Sequence, residues 1–140
     1  MVKIFILSEY SLNPPNELGT GRIKIDGGPL YDLARIKQLV DDPDCIRLFT
    51  RICNREVHKL FDSDTGQVAA LIQALDSFDY IDSEWCDNGN TGVAACDAYG
   101  IRRAEVIAAT GKSITVEYFL KFAIGKTGKL VLLVSCHLSK

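Results

Sequence analysis

Hydrophobic residues recur at helical spacing in the first half of the chain. In residues 30–40 one stripe at helical spacing carries Leu30, Leu33, Ile36 or Lys37, and Val40. It predicts an amphipathic helix, which the Asp-Asp-Pro sequence directly after it ends. A second helix is predicted for residues 50–61. A third, with Asp64 or Thr65 as its cap, covers residues 67–78 and also has an apolar stripe.

After residue 78 the period changes to two, which is typical of strands. Residues 113–124 alternate cleanly, and their even-numbered side chains are apolar. Residues 92–103 and 129–140 predict two further strands, and the Gly-Lys-Thr-Gly sequence before the last strand predicts a hairpin turn. Helices followed by strands are typical of an α+β domain, with two to three helices packed on one face of a central antiparallel sheet.

The N-terminal segment follows neither pattern for long. Residues 2–7 and 22–25 predict one or two short strands, which a loop rich in proline and glycine separates. We therefore divide the chain into an N-terminal extension, residues 1–29, and a main domain, residues 30–140.

Charge is unevenly distributed along the chain. Its 140 residues carry a net charge of −2. Residues 1–99 contain 9 Lys and Arg against 16 Asp and Glu, whereas residues 100–140 contain 7 against 2. An acidic front and a basic C-terminal sheet favour an anion-binding outer face on that sheet, unless the two halves simply neutralise each other.

The number and spacing of the cysteines and the lengths of the apolar runs indicate the cellular compartment of the protein. The five cysteines are odd in number and form no Cys-x-x-Cys pair, which favours reduced thiols over disulfides or a zinc site. No apolar run approaches the ~20 residues of a membrane span, and the N-terminus lacks the pattern of a signal peptide. The sequence predicts a cytoplasmic protein that uses neither a membrane nor a metal.

Side chains alternate between the two faces of a strand, and this alternation places the candidate site residues on one face of the predicted sheet. If residues 92–103 run without a bulge, one face of the sheet carries Cys96, Arg102, Phe119, Lys121 and His137. This set is an anion-binding patch with one imidazole that can exchange a proton. The alternative interpretation of the imidazole is a solvent-facing histidine near the C-terminus. Cys96 and His137 could also act across the sheet as a nucleophile–base pair.

The predicted hairpin gives His137 a partner. A three-residue loop centred near residue 127 places Glu117 opposite His137 on the neighbouring strand. A carboxylate at that position would hold the imidazole in one tautomer.

Five segments of the main domain resemble the MqsR family of bacterial type II toxins. They are, in order, YDLARIKQLV, QVAALIQALDSFDY, CDAY, YFLKFAI and LLVSCHLSK, and they extend from about residue 30 to the C-terminus. Asp97 and Tyr99 match an Asp and a Tyr of that family. The resemblance implies a RelE-like fold, cleavage of mRNA without a metal ion or cofactor, and a cognate antitoxin as partner. Residues 1–29 have no counterpart in it.

The site positions of that family differ in this chain. In the family a base takes the 2′-hydroxyl proton, cations stabilise the charged phosphorus centre, and an acid protonates the leaving oxygen. The family positions, a Lys, a Gln, a Tyr and a near-terminal Lys, fall here on Asp82, Cys96, Phe119 and His137. Lys121 falls on a neighbouring position where the family also has a Lys, so this chain has the same residue there.

Two functions follow from these observations. The first is a diverged, metal-independent mRNA endoribonuclease in which His137 is the general acid or base. The second is a non-catalytic module on the same fold that binds a protein or a nucleic acid. In the first, Lys121 and Arg102 join His137 as catalytic residues, RNA and the antitoxin are partners, and the binding residues are Tyr99, Phe119, Arg103 and Cys96.

Overall fold

A computed structural model describes residues 3–17 and 22–139 of the chain. It contains three α-helices, α1 (Leu33–Leu39), α2 (Arg51–Phe61) and α3 (Thr65–Ala74). Each helix follows a side chain that accepts a bond from a backbone N–H of the first turn; the three caps are Asp32, Thr50 and Asp64. The bounds of α2 agree with the prediction, whereas α1 and α3 are shorter than predicted.

Local hydrogen bonds explain the two shorter helices. The backbone N–H groups of Leu30 and Tyr31 donate to Asp97 of the sheet, so the chain is held outside the helix there. After α3, Asp76 and Asp79 form a capping box that starts a separate 3₁₀ turn, Ser77–Asp79.

Seven strands form one open sheet. They are β1 (Phe5–Ile6), β2 (Ile23–Lys24), β3 (Ile46–Leu48), β4 (Tyr80–Asp87), β5 (Gly92–Val106), β6 (Ser113–Ile124) and β7 (Val131–Leu138). Their order is β2-β4-β5-β6-β7-β3, with β1 beside β5. The β1–β5 and β3–β7 pairs are parallel and the other pairs are antiparallel, which confirms the predicted α+β class.

Both short strands of the N-terminal segment belong to this sheet. Phe5 pairs with Gly92 of β5, and Lys24 pairs with Glu84 of β4. The sheet therefore takes strands from both sides of residue 30.

The helices cover one face of the sheet. Phe61 of α2 stacks on Tyr118 of β6 with ring centroids 6.0 Å apart, and Tyr99 of β5 stacks on Phe122 at 5.3 Å. These sheet residues and Leu120 are buried, as the alternation of β6 predicts. The opposite face, called the outer face below, carries the even-numbered residues of β5 and the odd-numbered residues of β6.

Two features shift the last hairpin out of its predicted register. The Gly125 N–H donates across the turn at 2.8 Å and closes a four-residue loop instead of a three-residue loop. Strand β7 also contains a β-bulge, in which Val134 is the extra residue. Together they place His137 opposite Phe119, so the predicted pairing of His137 with Glu117 is wrong.

The bulge also changes which residues of β7 share a face. Leu133 and Cys136 both lie on the helix side, because they pair with Phe122 and Leu120. An unbroken strand would put them on opposite faces. His137 lies on the outer side.

Candidate functional site

Strand register gathers five predicted site residues on the outer face, as parity predicts. Arg102 lies on the row of Glu117, Phe119 lies opposite His137, and Lys121 lies on the next row. Rows on one face are about 7 Å apart and neighbouring strands are about 4.8 Å apart. The Cα atoms of His137, Lys121 and Arg102 therefore lie within ~15 Å of one another.

His137 is a half-buried imidazole that rests on an aromatic ring. It stacks on Phe119 with centroids 4.9 Å apart and an interplanar angle of 22°. Its Nδ1 lies 3.0 Å from the Leu138 carbonyl oxygen. Because a carbonyl only accepts, this bond assigns the proton to Nδ1 and leaves Nε2 as the acceptor of the neutral ring. Lys121 Nζ lies 5.7 Å from the centroid of the same Phe119 ring.

Lys121 is held by a buried carboxylate, Glu84. The side chains of Lys121 and Glu84 are 14% and 3% exposed and form a direct ion pair. Arg22 also donates two hydrogen bonds to this carboxylate, from Nε to Oε2 at 2.7 Å and from Nη2 to Oε1 at 3.0 Å. Burial alone would raise the pKa of Glu84, but the hydrogen bonds from Arg22 and Lys121 outweigh it and hold the pKa at about 2.

Replacing Glu84 with glutamine is expected to lower stability near neutral pH and to free Lys121. The pKa of Glu84 is lowered from 4.5, so its ion pairs stabilise the fold above pH 4.5 and this stabilisation is lost as the pH falls towards 2. The shift corresponds to at most about 3 kcal/mol. Urea unfolding between pH 4.5 and pH 2 should show that the free energy of unfolding falls more steeply with falling pH for the parent than for Glu84→Gln.

Glu117→Gln is the matched control for this experiment. Glu117 is 38% exposed and, among the described residues, forms an ion pair with exposed Arg102 alone, so its loss should change stability by less than ~1 kcal/mol. Equal pH slopes for the parent and Glu84→Gln would contradict the buried ion-pair role of Glu84.

Arg102 is also paired with a carboxylate. Its Nε lies 2.7 Å from Glu117, but its side chain remains 77% exposed. Both residues line a groove of about 640 Å³ that includes Ile81 and Gly100. An exposed pair of this kind is weak, so Arg102 can turn from Glu117 to an anion at little cost.

Within the described part of the chain, strands β2 to β7 give the outer face a positive balance. Its carboxylates are Asp82, Glu84 and Glu117. The ammonium of Lys24 bonds to Asp82 and so reduces the repulsion that a phosphate would meet there. Counting Arg22, which directly precedes β2, the cations outnumber these carboxylates five to three; they are Arg22, Lys24, Arg47, Arg102 and Lys121.

Three predicted binding residues do not fit the roles proposed for them. Tyr99 lies on the helix side and is 1% exposed, and burial raises its pKa to about 12. It cannot stack on a nucleotide at the outer face. Arg103 also lies on the helix side, 5.4 Å from the Tyr118 ring centroid and 3.0 Å from Glu105.

Cys96 lies on the outer face but is completely covered. Its Sγ is 3.4 Å from the Ala94 carbonyl oxygen, and burial raises the pKa of this thiol well above its usual value. Cys96 lies on β5 and His137 on β7, with β6 between them, and Cys96 is two rows away from the row that contains His137. The predicted nucleophile–base pair between them is therefore wrong.

Three cations near the site were not predicted from the sequence. Arg22 and Lys24 alternate correctly for one strand face, but a two-residue strand gives almost no periodic pattern to recognise. Lys59 lies on α2 and lines a cavity of about 300 Å³ beside His137, together with Glu56. No local pattern links a helical lysine to a residue so distant in sequence.

Among residues 3–17 and 22–139, no group of three or more His, Cys, Asp or Glu side chains is placed to hold a metal ion. No helix in these ranges is long and apolar enough to cross a membrane. No known family model matches the chain, and it matches no curated protein and no solved structure.

Proposed function

We propose that this chain is an MqsR-like toxin with a RelE-like fold, a metal-independent endoribonuclease that cleaves mRNA in the cytoplasm. The observation that carries the proposal is the stack of His137 on Phe119, the same ring that Lys121 Nζ approaches to 5.7 Å. The α+β architecture, with its helices on one face and a basic sheet face left open, supports the same function.

The geometry supports a cleavage that needs only side chains. Nε2 of His137 takes the proton of the ribose 2′-hydroxyl, whose oxygen then attacks the neighbouring phosphorus. The P–O5′ bond breaks, the 2′,3′-cyclic phosphate forms, and the leaving 5′-oxygen takes a proton. Lys121, once released from Glu84, is the nearest donor in register, and Arg102 stabilises the charge that develops on phosphorus.

A second function is favoured by the ion pairs. Both cations that were predicted to act with His137 are already paired, Lys121 with Glu84 and Arg102 with Glu117. Cations that are held by carboxylates in this way suit a module that binds a protein, such as an antitoxin, or a nucleic acid without cutting it.

Expression in a bacterium separates the two functions. The parent chain should arrest growth, and His137→Ala should relieve the arrest at the same protein level. His58→Ala is the matched control, because His58 is exposed on α2 and bonds only to Ser63 at 3.2 Å. Normal growth with the parent, or arrest that persists in His137→Ala, would contradict the catalytic proposal.

A further inference from the structure

Strand β5 has a free edge along its second half. Strand β4 begins at Tyr80, which lies opposite Tyr99, so residues 100–106 have no neighbour on that side among the described residues. The 3₁₀ turn Ser77–Asp79, with its capping box, directly precedes β4, so the strand does not extend beyond Tyr80. Unpaired strand edges of this kind are templates for another strand.

The hydrogen-bond pattern shows which backbone groups face this edge. Ser139 N–H donates to the Glu117 carbonyl at 2.8 Å, so Glu117 directs its backbone groups to β7 and Tyr118 directs its own to β5. Ile101, which pairs with Tyr118, therefore faces β6. The alternate residues of β5 face the free edge with their N–H and C=O groups; they are Gly100, Arg102, Ala104 and Val106.

Apolar side chains flank the same edge. Phe78 is 91% exposed, Val106 is 71% exposed and Ile81 is 53% exposed. Phe78 and Ile81 line the 640 Å³ groove together with Gly100. Exposed large hydrophobic residues beside unpaired backbone groups are typical of an interaction surface.

The charge around the groove selects its occupant. The groove contains the carboxylates Asp76, Asp79 and Glu117 but only one cation, Arg102. The carboxylates of this groove outnumber its cations, which disfavours a second copy of this chain because it would bring the same carboxylates into a two-fold contact. Basic side chains complement it.

We propose that an extended segment of a partner protein, with basic and apolar residues in alternation, adds as a strand to the 100–106 edge of β5. Its backbone pairs with the four free residues of the edge, its apolar side chains contact Phe78 and Ile81, and its basic side chains meet the carboxylates of the groove. This strand-binding edge adjoins the His137 row and shares Arg102 with the candidate site, but binding of the strand does not require the proposed cleavage.

Binding of a labelled synthetic peptide tests the proposal. The probe alternates lysine and valine over roughly eight residues, which spans the edge at about 3.3 Å per residue; its partner probe alternates glutamate and valine. The lysine peptide should bind the parent chain and the glutamate peptide should bind at least ~10-fold more weakly. Ala104→Pro removes one N–H from the free edge, where proline is tolerated, and should weaken the lysine peptide ~10-fold or more.

Two further variants keep the test decisive. Ala108→Pro is the matched control, since Ala108 follows Ile107 in a turn where the Ile107 carbonyl accepts from Thr110 N–H at 3.2 Å, a position that suits proline. Phe78→Ser removes an almost fully exposed ring and should weaken binding without affecting the core. The proposal is overturned if neither peptide binds the parent, if Ala104→Pro binds as the parent does, or if the edge proves to pair with a second copy.

Discussion

Replacing His137 with alanine is expected to lower the rate of RNA cleavage by ~10²- to 10⁴-fold, the usual contribution of a general acid or base. The imidazole is the one proton-exchanging ring on the outer face of the described sheet, and its Nδ1 bond to the Leu138 carbonyl leaves Nε2 free to accept a proton. Binding of RNA should change much less, because Lys121 and Arg102 remain. Single-turnover cleavage of a labelled RNA, measured beside the affinity for the same RNA, checks both expectations.

Two controls separate chemistry from structure in this measurement. His58→Ala makes the same change on α2 and should cleave at the parent rate. Phe119→Leu keeps the apolar support but removes the ring beneath the imidazole, and it should give an intermediate rate because His137 is held less firmly. A His137→Ala variant that cleaves at the parent rate would remove His137 from the mechanism.

Replacing Asp97 with alanine is expected to lower the free energy of unfolding by ~2–5 kcal/mol. Asp97 is completely buried and accepts bonds from Leu30 N–H at 3.0 Å, Tyr31 N–H at 3.1 Å and the Ser83 hydroxyl at 2.6 Å. Alanine would leave these buried donors without a partner, at ~1–3 kcal/mol for each group that water cannot reach. Urea unfolding of the two proteins at one pH checks the prediction.

The pH dependence of Asp97→Asn provides the matched comparison. Asparagine keeps an acceptor, so it should lose clearly less stability than alanine. Burial raises the pKa of Asp97 above 3.8, against the opposing bonds from Ser83, Leu30 and Tyr31. The charged form is therefore disfavoured by folding, and parent stability should fall as pH rises from 3.8 through the folded pKa, a component that Asp97→Asn should lack. An asparagine variant as unstable as the alanine variant would contradict this account.

The sequence predicted the secondary structure well where the pattern was long. Residues 113–124 alternate without a break, and β6 has these bounds. The final strand alternates too, but no local feature marks Val134 as a bulge, and the register depends on that one residue and on the loop length. Periodicity shows that a strand exists, whereas register is decided by tertiary pairing.

The sequence predicted which face of the sheet carries the candidate site residues, but it did not predict the ion pairs that hold the cations. Parity placed Arg102 and Lys121 on one face, because β5 and β6 pair without interruption between Asp97 and Val106. His137 lies on that face as well, because the longer loop and the bulge of β7 together shift its register by two residues. Parity could not show that Lys121 is bonded to Glu84, since that contact crosses two strand boundaries and depends on burial. The ion pair of Glu84 with Arg22 was still less accessible to sequence reasoning.

Incubation of the purified parent chain with a labelled single-stranded RNA in EDTA, followed by analysis of the new ends, tests the central claim most directly. An oxygen of the substrate's own ribose attacks the phosphorus in the proposed reaction, so we expect fragments that end in a 2′,3′-cyclic phosphate. RNA that stays intact while the chain binds it would contradict cleavage and leave the outer face as a binding surface alone.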